Sequence, residues 1–161
     1  MPRIVLFQPQ IPPNTGNVAR TCAATGTELH LVEPLGFQIN DRQLKRAGLD
    51  YWPLVSLHCH ASWSAFADQR LLSGGRLVAL SSHASQPYTG WAFEAYDWLL
   101  LGRETDGLPT DVLAAADVAL TIPMACADQP QQAGVRSLNL SVSVGVVLFE
   151  AIRQQSSLTL A

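Results

Sequence analysis

Residues 4–32 read IVLFQPQIPPNTGNVARTCAATGTELHLV, and the period of their hydropathy changes twice. Ile4–Phe7 is a short unbroken apolar run, as expected of a strand buried on both faces. Asn17–Thr25 then reads as a helix, and Leu29–Val32 is a second buried run. Strand, helix, strand is a βαβ unit, because parallel neighbours need a crossover between them. Working outward, further strands are expected at Leu54–Leu57, Leu77–Ser81, Trp98–Leu101 and Ala119–Ile122. Helices near 41–47, 62–72 and 110–116 separate most of them. The alternation predicts an α/β fold, a mainly parallel sheet with helices on both faces.

The chain has 161 residues, which fits a single domain over 1–161. Hydrophobic residues make up 48% and charged ones 14%, so the core is amply supplied and the surface is poor in charge. That balance suggests a buried subunit interface. A net charge of −3 argues against a dispersed polyanion-binding surface, so any nucleic-acid contact must be local. Nine of the ten basic residues are Arg and one, Lys45, is Lys. Arg suits bidentate phosphate recognition, although a genomic base bias explains the ratio equally well. Cys22, Cys59 and Cys126 are odd in number and contain no C-x-x-C pair, so reduced cytosol is the expected compartment. The start MPRIVLF does not read as a secretory signal, and no run reaches the roughly 18 apolar residues of a membrane span. A cytoplasmic protein without membrane attachment is expected.

The last helix, Leu140–Gln155, carries apolar side chains almost all the way round until Glu150 and Arg153. A helix apolar on every side must be covered on every side, and a second copy of the chain is the expected cover.

Three polar segments stand at strand ends. Asn14-Thr15-Gly16-Asn17-Val18-Ala19-Arg20 follows the first strand and opens a helix, where free backbone N–H groups attract anions. Read alone, it is equally an N-capped helix with a solvated Arg20. Gly102-Arg103-Glu104-Thr105-Asp106-Gly107-Leu108-Pro109 follows Trp98–Leu101, and its glycines allow a ligand close to the backbone. It matches neither G-x-G-x-x-G nor a Walker loop. The third is Ile122-Pro123-Met124 and, beyond the intervening 125–134, Val135-Arg136-Ser137-Leu138-Asn139-Leu140-Ser141, which is ordinary N-cap material before the final helix.

In this order and at these strand ends, the segments resemble the SpoU branch of the SPOUT superfamily, most closely its TrmL-type tRNA wobble-position 2'-O-methyltransferases. The resemblance runs from IVLFQPQIPPNTGNVARTCAATG through LHLVEPLGF, LKRAGLDYW, GRETDGLP and IPM to RSLNLSVSVGVVLFEAIRQ. It implies a C-terminal deep trefoil knot, a homodimer formed through the terminal helix, and S-adenosylmethionine as cofactor with S-adenosylhomocysteine as product. It also implies cofactor contacts at Leu80, Gly102, Glu104, Ile122, Ser137 and Leu138. Arg20 takes the place of the family's catalytic arginine, with Ser137 and Asn139 in the same active-site motif. Expected RNA contacts are Asn17, Arg20, Arg42, Lys45 and Arg46, meeting a tRNA anticodon loop beside Tyr51 and Trp52, since unpaired bases stack on aromatic rings. A solvated helix face explains the basic cluster 42–46 equally well.

The implied reaction is in-line displacement at a methyl carbon by a ribose 2'-oxygen, where positioning matters most. A guanidinium keeps its proton in proteins, so Arg20 is expected to hold phosphate and developing charge and not to act as base. Two other readings remain: a knotted dimeric RNA- and cofactor-binding protein with weak or lost catalysis, and 2'-O-methylation at a different RNA site. A dinucleotide-dependent oxidoreductase suffers from the missing glycine fingerprint. No metal is expected, because His58 and His60 share a strand face without a third ligand in view.

Overall fold

A computed structural model describes residues 1–39, 51–125, 135 and 137–155. Seven parallel strands form one sheet: β1 (Arg3–Phe7), β2 (Leu29–Val32), β3 (Leu57–His60), β4 (Leu77–Leu80), β5 (Gln86–Pro87), β6 (Trp98–Leu101) and β7 (Val118–Thr121). Their spatial order is β3-β2-β1-β6-β4-β7-β5. The helices are α1 (Pro12–Thr25), α2 (Trp63–Ser73), α3 (Thr110–Ala114) and α4 (Leu140–Gln155).

β1 lies inside the sheet between β2 and β6, and its alternate residues feed two cores. Ile4 and Leu6 pack with Val18, Cys22, Val144 and Leu148 under α1 and α4. Val5 and Phe7 pack with Phe66, Trp98 and Val112 under α2 and α3. Both sets are nearly water-free, which is why the central strands read as unbroken apolar runs. Polar pairs pin the amino ends of the strands. Arg76 donates from Nε and Nη2 to the buried Asp97 at 2.8 and 2.7 Å, and Asp117 accepts from Leu77 N at 2.6 Å.

Three expectations change. The strand placed at 54–57 begins at Leu57, because Pro53 lies in a 3-10 turn over Trp52–Leu54. β3 is an edge strand and half exposed, so its polar His-Cys-His sequence lacks the apolar signature of the centre. α1 starts at Pro12 and not at Asn17: two prolines fill its first turn, where their missing N–H groups cost nothing. α4 is not apolar-faced toward a partner on all sides. Val144, Val147, Leu148, Ala151 and Ile152 are covered by this chain's own core, and Val142 and Phe149 remain exposed at 49% and 56%. The helix expected over 41–47 lies outside the described residues.

Candidate active site

All strands run the same way, so their carboxyl ends share one edge of the sheet. The register sets Leu80 beside Leu101 and Leu120, and Leu6 beside Leu101. Leu80, Gly102 and Ile122 therefore lie at three adjacent strand ends, the place where open parallel sheets bind ligands. Leu80 and Ile122 are half-buried.

The turn after β6 is closed by mutual backbone bonds between Arg103 and Gly107 at 3.1 and 2.9 Å, with Gly107 at φ +73°. A Cβ on Gly102 would stand 2.2 Å from the Gly107 carbonyl carbon and 2.4 Å from Leu108 N. The turn's own backbone therefore demands glycine at 102, independently of any ligand.

Glu104 ties this turn to α1. Its Oε2 accepts from Gln10 N at 2.8 Å, and its Oε1 accepts from Ile11 N and Asn14 Nδ2, both at 3.2 Å. Ile11 is the N-cap residue and offers no side-chain acceptor, so Glu104 supplies the anion that a helix start favours. The helix N-terminus expected to attract an anion holds this chain's own carboxylate. The strap continues through Thr105 Oγ1, which donates to Gln10 Oε1 at 2.8 Å, and Arg103 Nη1, which donates to Gln8 Oε1 at 2.9 Å. Gln8 holds φ 47°, an uncommon value for a residue with a side chain. Asp106 takes both remaining forks of Arg103, at 2.7 and 2.6 Å, and that pairing holds the Asp106 carboxyl below the usual carboxylate range.

The third segment joins the same network. Asn139 Nδ2 donates to Asn14 Oδ1 at 2.8 Å, and Asn139 Oδ1 caps α4 by accepting from Ser141 N at 2.9 Å and Ser141 Oγ at 2.7 Å. Glu104, Asn14 and Asn139 thus form one hydrogen-bonded line across three chain segments. Asn14 is 6% exposed and was not among the sequence-level candidates. A buried amide beside a helix start needs partners, and that need was the available signal.

Ser137 and Leu138 are exposed beside this line. Asn17 and Arg20 are exposed on α1, with the Arg20 guanidinium 4.7 Å over the Tyr51 ring. Arg20 lies more than two turns into the helix, since α1 begins at Pro12. No hydrogen bond links Arg20 to the Glu104–Asn14–Asn139 line among the described residues. Arg42, Lys45 and Arg46 lie outside them.

The chain matches the SpoU rRNA Methylase family over residues 1–149. A tRNA (cytidine(34)-2'-O)-methyltransferase of Polaromonas sp. (strain JS666 / ATCC BAA-500) is 47% identical over 151 residues, covering 94% of this chain and 89% of its own. A solved structure described as structural insights into the 2-OH methylation of C/U34 on tRNA superposes with a TM-score of 0.87 at 49% identity, covering 96% of this chain and 95% of that one. An AdoMet-bound rRNA methyltransferase from Sinorhizobium meliloti superposes with a TM-score of 0.84 at 26% identity, over 97% of this chain and 57% of its own. A family match over residues 1–149, with a superposition that covers 96% of the chain, means that the chain belongs to the SpoU rRNA methylase family.

Proposed function

We propose that this protein is a tRNA ribose 2'-O-methyltransferase acting at wobble nucleotide 34, with S-adenosylmethionine as methyl donor. The observation that carries the reading is the likeness, over nearly the full length of both chains, to the Polaromonas tRNA (cytidine(34)-2'-O)-methyltransferase. The same likeness weighs against the reading of a binding protein with lost catalysis.

The strand-end edge fits such a cofactor. Leu80 and Ile122 offer apolar, half-buried walls of the kind an adenine ring takes, and we assign the exposed Ser137 and Leu138 of the third segment to the same cofactor. When bound, the cofactor supplies a methyl group activated on a sulfonium. We assign Glu104 to holding the site together and not to cofactor contact, since both of its oxygens already accept hydrogen bonds. Asn139 fixes the start of α4 against α1, which places Ser137 and Leu138.

Arg20 serves the RNA. Stacking over Tyr51 holds its guanidinium in direction and leaves its in-plane N–H edge to meet phosphate and the 2'-oxygen. Asn17, one turn before it, extends that surface, and the family likeness assigns Arg42, Lys45 and Arg46 to the same RNA. The chain then works as a cytoplasmic homodimer. Support for the dimer is an exposed apolar strip on and before α4: Leu138, Val142 and Phe149 at 36%, 49% and 56% exposure. Support for a knotted C-terminal portion is the sheet order: β7 pairs with β4 on one side and β5 on the other, so residues 118–121 run between two earlier segments joined only by 81–85.

The test is methyl transfer from labelled S-adenosylmethionine to bulk tRNA, with the wild-type chain beside Arg20→Ala. Wild-type incorporation with a loss of about 100-fold or more in the variant is expected, the size seen when one charge-stabilising donor is removed. No incorporation by the wild-type chain would overturn the tRNA reading and leave a binding protein or a methyltransferase acting on another RNA.

A further inference from the structure

The histidines of β2 and β3 lie on the α2 face of the sheet, apart from the strand-end site. His30 and His58 are register partners on adjacent strands, and their rings stack 4.5 Å apart at 11°. Glu28, two residues before His30, falls on the same face. One donor atom from each of Glu28, His30 and His58 lies within 4.8 Å of the other two. The three border an open cleft of about 580 Å³. The sequence places His58 and His60 together without a third ligand; the fold brings in His30 from β2 and Glu28 from just before it.

We propose that Glu28, His30 and His58 bind one divalent transition-metal ion of the zinc class, with His60 as the residue that orients His30. Two imidazoles and one carboxylate suit zinc, nickel or copper, whereas magnesium and calcium take oxygen shells. Zinc sits about 2.0–2.2 Å from such donors, which sets tetrahedral donors about 3.4 Å apart. A spread of 4.8 Å therefore needs closure by little more than about 1 Å. His58 provides it, being exposed and bonded only weakly to Ser56 Oγ at 3.3 Å.

His30 is fixed for the role. It is 3% exposed, and its Nδ1 lies 2.9 Å from His60 Nε2. A metal-bound histidine donates its other ring N–H to a second-layer partner in this way. With the proton on Nδ1, the Nε2 lone pair faces Glu28 Oε2 across 3.3 Å, and a cation between two such acceptors is stabilising. Both contacts to Glu28 use Oε2, since Arg3 Nε also donates there at 3.1 Å. No hydrogen bond reaches Oε1 among the described residues, which leaves that oxygen's acceptor capacity for a ligand. The Arg3 charge weakens a dication at this carboxylate, so affinity in the micromolar range is expected, well short of a closed structural zinc site.

The experiment is calorimetric titration of the untagged, chelator-stripped chain with zinc chloride, paired with the visible spectrum of added cobalt(II). One zinc per chain is expected, with a Kd of about 1–10 μM and tetrahedral cobalt bands. Glu28→Gln and His58→Ala each weaken binding by about tenfold or more, which is 1.4 kcal/mol. Circular dichroism checks that both variants fold, and His58, being exposed, leaves the core intact. His83→Ala, a histidine outside the cluster, binds as the wild type. Absence of binding at 100 μM zinc overturns the proposal, as does unchanged affinity in Glu28→Gln and His58→Ala.

Discussion

Glu104 accepts two backbone N–H groups and one amide N–H, and removing a charged acceptor from such donors costs more than a neutral bond returns. Glu104→Ala is expected to lower unfolding free energy by about 2 kcal/mol in urea titration, and Glu104→Gln by roughly half of that, because one amide oxygen still accepts. At Gly102 the neighbour is backbone, 2.2 Å from a hypothetical Cβ, and backbone does not step aside. Gly102→Val is therefore expected to lose cooperative folding in a thermal melt; a variant that melts like the wild type and lacks only cofactor affinity would contradict the geometry. Arg20 is the opposite kind of residue, exposed and outside the core. Arg20→Ala is expected to abolish transfer while calorimetry with S-adenosylhomocysteine stays within about threefold, under roughly 1 kcal/mol. Arg20→Lys is expected to fail as well, since a point charge lacks the guanidinium fork.

Between elements, the amide pair Asn14 and Asn139 joins the starts of α1 and α4 at 2.8 Å. A double-mutant cycle of Asn14→Ala and Asn139→Ala is expected to show coupling of about 0.5–3 kcal/mol in urea unfolding, whereas additive losses would mean the pair does not act as one link. Such links mark the limit of sequence reading. β1, β2, β6 and α4 were legible because burial on both faces, or a long apolar run, leaves a period that survives in one dimension. β3 was not, since an edge strand carries His58, Cys59 and His60 without that period. The start of α1 was hidden because Asn14-Thr15-Gly16 looks like a loop until Glu104, 90 residues later, satisfies it. Likewise Gly102 was legible as a turn glycine, but what crowds it was not. A residue's chemistry is written locally, whereas its partner is chosen by the sheet order.

For the whole molecule, one side of α4 belongs to the core and the other to the surface. Val147→Asp puts an unpaired charge where 1% of the residue is exposed, so a loss of about 3 kcal/mol or more is expected whether or not the chain dimerises. Phe149→Glu, at a position 56% exposed, is expected to keep the melting temperature of the monomer fold and to move sedimentation from dimer to monomer. A wild-type chain that sediments as a monomer at micromolar concentration would remove the dimer from the account. What defines the enzyme is the atom it methylates. The most direct measurement is mass spectrometry of nuclease-digested tRNA after reaction with methyl-labelled S-adenosylmethionine. Label is expected on the ribose 2'-oxygen of nucleotide 34 and nowhere else; label on a base, or on the ribose of any other nucleotide, would overturn the assignment.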